Sequence, residues 1–157
     1  MAQPANINRR IIESLYAEGL MLSDEVRAAF DLTRRLDCDR PDCDGENLAR
    51  VALSCEALRT TTRMMHAVAW LLNHRAFLNG EISEFQLRRH GRIAAGLPVS
   101  EPHRMILLDP EVQELILATE RFYARLVRLD SGWRAQDQAA AAPAIQRLRE
   151  RLSRAVM

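Results

Sequence analysis

Six residues, Glu56, Arg59, Arg63, His66, Trp70 and Asn73, follow one another at steps of three and four, the spacing that aligns side chains along one side of an α-helix. Arginine and tryptophan dominate binding energy at protein interfaces, so the stripe reads as a partner-binding surface anchored by Arg63 and Trp70. A second reading stays open, in which the arginines lie partly buried and tie helices together through charge-assisted hydrogen bonds. Arg59 and Arg63 are like charges one turn apart, a pairing that costs an isolated helix about 0.2–0.5 kcal/mol. Glu56 relieves Arg59 but hardly both, so acids must come from elsewhere: Glu13, Glu18, Asp24 and Glu25, or Glu114 and Glu120.

Catalytic and metal chemistry is harder to assemble. Cys38 and Cys43 have zinc-ligand spacing, but no second Cys/His pair accompanies them. An EF-hand register on Asp42, Asp44 and Gly45 puts Arg40 at the first ligand and Val51 at the bidentate glutamate, and both are fatal to calcium binding. Ser54 and Cys55 have no histidine placed beside them, as a nucleophile needs. His66 sits in MMHAVAW, too bulky a setting for a phosphorylated histidine that must admit a partner's aspartate. No glycine-rich phosphate cradle exists. The expectation is no catalytic residue, no metal and no cofactor.

The elements that must carry the stripe are helices. Asn6 or Asn8 caps a first helix over about 8–36, with Ile11, Leu15, Leu22, Val26 and Ala29 on one face. The turn formers of Asp37 to Gly45 end it. A second helix over about 46–79 has no proline or internal glycine and stops at Asn79-Gly80. Val51, Cys55, Leu58, Thr62, Met65, Ala69, Leu72 and Ala76 form a heptad line along it. A second apolar line, Leu53, Ala57, Met64, Val68 and Leu71, follows another side. Two apolar faces suit a helix covered by its own domain on one side and by a partner on the other. Ser83 to His90 forms one short helix, and 91–108 is a surface loop. Asp109-Pro110-Glu111 opens a helix over about 110–134, with Val112, Leu115, Thr119, Phe122, Leu126, Leu129 and Trp133 in line. The fold class is all-α: a three-long-helix bundle over 1–134 with a short extra helix. Residues 135–157 are expected to be a linker, QDQAAAAP, and a short arginine-rich amphipathic helix. There Arg147, Arg149, Arg151 and Arg154 flank Ile145, Leu148, Leu152 and Val156 as possible tail contacts to a partner.

Composition sets the bounds. A formal charge of +1 supplies no global field toward nucleic acid or an anionic membrane, although Arg88, Arg89 and Arg92 in SEFQLRRHGRIAAG raise a DNA-binding alternative. All basic side chains apart from histidine are arginine. No apolar run is long enough to span a bilayer, and MAQPANINRR lacks a signal peptide's apolar region. With three cysteines, an odd number, a disulfide framework is not expected, and a cytoplasmic protein follows.

LSCEALRTTTRMM, AWLLNHRAFLNGEIS and SLYAEGLMLSDEVRAAF together resemble the RcdA family of alpha-proteobacteria, named for regulating degradation of the cell-cycle regulator CtrA. The likeness covers Ser14 to Phe30 and Leu53 to Ser83. It implies a three-helix bundle that pairs as a homodimer and has no catalytic activity. It further implies an adaptor for the ClpXP protease that works with a response-regulator co-adaptor and delivers protein substrates. A helical dimeric scaffold or signalling module unconnected with proteolysis is the alternative.

Overall fold

The computed structural model describes residues 8–38 and 44–155. The expectations for Asn6, Asp42, Cys43 and Val156, and for the side chains of Arg147 and Arg154, lie outside the described residues. Among the described residues five helices follow in order: α1 (Arg9–Cys38), α2 (Asp44–Leu78), α3 (Glu84–His90), α4 (Pro102–Met105) and α5 (Pro110–Ala155). No strand occurs among the described residues. The long helices α1, α2 and α5 pack pairwise, and α3 and α4 lie against α2. The fold is an all-α bundle.

Local chemistry sets the helix ends. Asn8 starts α1, its Oδ1 accepting from the Arg10 amide at 2.9 Å. α2 ends in a Schellman turn: Glu81 N–H reaches Ala76 O at 2.9 Å and Gly80 N–H reaches Phe77 O at 3.0 Å. Gly80 takes φ of +77° there, a backbone region that a Cβ disfavours. Ser83 and Gln86 close a reciprocal capping box at the start of α3. The 91–108 segment is loop except for α4.

The main core joins Ile12 and Leu15 of α1, Met64, Ala67, Trp70 and Leu71 of α2, and Phe122, Tyr123 and Leu126 of α5, with Ile93 from the loop. A second cluster at the other end joins Ala52 and Leu53 to Leu108, Val112 and Ile116. Each fully buried side chain of this size stabilises the fold by about 1.5–3 kcal/mol. Ile12 is fully buried while Ile11, assigned to the core from the sequence, is 44% exposed. The two are adjacent, and a small rotation of the helix decides between them.

One expectation is corrected. No linker separates the bundle from the arginine-rich segment, because α5 runs unbroken from Pro110 to Ala155 through QDQAAAAP. Alanine is the strongest helix former, and four alanines precede Pro143. Pro143 cannot donate to the Ala139 carbonyl, yet the helix continues through it. At 46 residues α5 is about 69 Å long, so its last part continues beyond the bundle. Arg149, Arg151 and Leu152 are exposed there.

Candidate protein-contact surface

The polar stripe of α2 faces inward for half its members. Glu56 is 0%, Trp70 1% and Arg63 3% exposed. These three are thereby corrected as partner-contact residues: a side chain enclosed by its own bundle has no surface to offer. Arg59 and Asn73 are half-buried and His66 alone is fully on the surface.

What the stripe holds is the chain's own loop. Arg63 donates to Thr119 Oγ1 at 2.9 Å, to Glu120 Oε1 at 3.1 Å and to the Pro98 carbonyl at 3.3 Å. Glu120 also accepts from Ser100 N–H and Oγ–H, both at 2.8 Å. One turn away, Arg59 pairs with Glu101, donates to Glu56 at 3.3 Å and to the Val99 carbonyl at 3.2 Å. The Glu101 amide donates to Glu56 Oε1 at 3.5 Å. From Pro98 to Glu101, then, carbonyls meet arginines and amides meet glutamates, which fastens an irregular segment without a partner strand. Burial pulls the Arg63 guanidinium below its ordinary value, with Glu120 opposing. The hydrogen bond from Arg59 holds the Glu101 carboxyl below the usual carboxylate range. Of the acids anticipated for these arginines, Glu120 is the one used. Glu13 pairs with Arg75 and Glu18 with Arg125 instead.

Trp70 continues the inward set. Its Nε1–H donates to Asp130 Oδ1 at 3.0 Å, and Asp130 takes Arg134 on both oxygens, at 2.7 and 3.0 Å. His74, one turn on from Trp70, donates from Nδ1 to the Trp70 carbonyl at 2.8 Å. Its Nε2 is buried without a hydrogen-bond partner. Burial pushes the His74 imidazole below its ordinary value, so the ring is neutral at neutral pH. Glu56 Oε2 and Thr60 Oγ1 are likewise buried without partners.

The surface left open is the heptad line. Val51, Leu58, Met65 and Leu72 recur every seven residues and are between 45 and 70% exposed. The other apolar line faces the core, with Leu53, Met64 and Leu71 buried. Beside the exposed line an apolar groove of about 600 Å³ runs between α1 and α2, lined by Leu20, Val26 and Phe30 on one side and Met65, Val68 and Leu72 on the other. Leu20 and Met21 of α1, which sequence reasoning missed, are also exposed. Methionine adapts to varied partners. Among the described residues no group of three or more His, Cys, Asp or Glu side chains could hold a metal ion. No helix among them is long and apolar enough to cross a membrane.

The model of one protein family, described as protein of unknown function (DUF1465), matches residues 3–156. No curated protein and no solved structure matches the chain.

Proposed function

The chain belongs to the DUF1465 family over nearly its whole length, and from its surface we propose that it acts without catalysis, as a cytoplasmic adaptor that helps deliver CtrA-type substrates to the ClpXP protease. The observation that carries this reading is the exposed apolar line of α2 with the groove beside it. The RcdA resemblance of α1 and α2 supplies the pathway, the protease and the response-regulator co-adaptor.

Homodimerisation is part of the proposal. The line is self-complementary: about a two-fold axis through Thr61 and Thr62, Val51 meets Leu72 of the partner subunit and Leu58 meets Met65 of the partner subunit. The strip is about 32 Å long and roughly 10 Å wide, some 300 Å² in all. Stable interfaces need about 800 Å² per partner, so Leu20 of α1 and the groove between α1 and α2 must join it.

Turnover of a panel of cell-cycle substrates by purified ClpXP with its response regulator tests the reading. Faster loss of particular substrates when the chain is added supports an adaptor. Self-association without any effect on turnover favours the dimeric scaffold. Neither effect removes both readings.

A further inference from the structure

A second feature lies at the other side of the bundle, where α3 meets α5. α3 is pinned to the core by Leu87, 2% exposed. Gly91 then lets the chain fold tightly over it: a Cβ at that position would lie 2.5 Å from Leu87 Cδ1 and 2.6 Å from the Leu87 carbonyl. This close turn places Arg92 near Arg88. Across from them α5 presents Trp133, Arg134 and Gln138, and the space between is a cavity of about 190 Å³.

Its walls are held from behind. The Asp130 carboxylate, itself fixed by the buried Trp70, grips Arg134 through Nε and Nη2 and sets the plane of its guanidinium. The Trp133 ring lies against buried His74, centroids 4.8 Å apart. Such support is what a preorganised site requires. Of the three arginines, Arg88 is paired with Glu84 and Arg134 with Asp130. Arg92 is exposed and has no ion pair or side-chain hydrogen bond among the described residues. The planar Arg92 guanidinium matches a carboxylate's two oxygens. Leu87 and Trp133 supply an apolar wall, and a cavity of about 150 Å³ is enough to hold a benzene ring.

We propose that this cavity is a carboxylate site for a compact apolar acid, with Arg92 as the anchor and Trp133 with Leu87 as the apolar wall. A free organic acid and the last residue of a polypeptide share this chemistry. The site does not depend on the adaptor reading or on the exposed line of α2.

Phenylacetate is the probe, titrated calorimetrically into the full chain beside the neutral 2-phenylethanol, inorganic phosphate, and a short peptide ending in phenylalanine as free acid or amide. The expected dissociation constant for phenylacetate is on the order of a millimolar, given its few heavy atoms. The alcohol should bind at least tenfold more weakly, as should phenylacetate to Arg92→Ala, a variant that removes no ion pair or side-chain hydrogen bond among the described residues. Gln138→Trp, which fills the cavity mouth, should abolish binding. A peptide acid that binds more tightly than phenylacetate, with its amide inactive, identifies a polypeptide end; equal or weaker binding identifies a free acid. Equal binding of acid and alcohol, indifference to Arg92→Ala, preference for phosphate, or no saturation by about 20 mM would each overturn the assignment.

Discussion

Replacing Arg63 with methionine tests the account of the inward stripe. Methionine keeps much of the apolar stem and deletes the fork. Three hydrogen bonds disappear, to Thr119, Glu120 and the Pro98 carbonyl. Breaking a buried ion pair costs about 3–5 kcal/mol, but the Glu120 side chain is 21% exposed and keeps both bonds to Ser100. Removing the buried guanidinium also returns its desolvation cost. The net expectation is about 2–4 kcal/mol, or a fall in Tm of about 4–16 °C for a chain of this size. Arg121→Ala is the control: Arg121 and its partner Glu114 are 64% and 67% exposed, and Tm should move by no more than about 2 °C. Circular dichroism melts of both variants read the difference. Arg63→Met melting within about 1 °C of wild type, or the two variants losing equal stability, would refute the idea that Arg63 ties the loop to α2 and α5.

Three further outcomes follow from the same structure. His74 resists protonation in the fold because it is buried, whereas the unfolded chain titrates near 6.5, so stability is full above that pH and declines as pH falls below it. Urea melts at pH 7.5 and 5.5 should differ by about 1 kcal/mol, and His74→Phe should flatten that dependence. Gly80→Ala forces a Cβ into φ of +77° and should cost about 1 kcal/mol, seen as an earlier thermal midpoint; an unchanged midpoint would mean the turn after α2 is not constrained. Leu58→Glu with Met65→Glu should keep the helical content of wild type by circular dichroism while abolishing self-association in sedimentation equilibrium, because both side chains are more than 65% exposed.

The sequence disclosed the helices more readily than their orientation. Caps at Asn8, Ser83 and Gly80 act locally, so they were legible from neighbouring residues. α2 carries apolar residues along two sides, and periodicity alone does not say which one a neighbouring helix covers. Its arginines admitted burial or exposure for the same reason, until Glu120 and the Pro98 carbonyl showed which. Glu120 was among the acids named for these arginines, but Glu101, 42 residues from Arg59, lay beyond any local pattern. The cavity between Arg92 and Trp133 was invisible for that reason too. At the tail the misreading is local: QDQAAAAP reads as a linker, although alanine is the strongest helix former.

The central claim is that the outward face of α2 works by seating other proteins. Its most direct test is turnover of a responsive substrate by ClpXP and its response regulator, with wild-type chain and with the Leu58→Glu, Met65→Glu variant side by side. The account predicts acceleration by the wild type and its loss in a variant that still folds. Full acceleration by the variant would show that this face is not where the protein does its work.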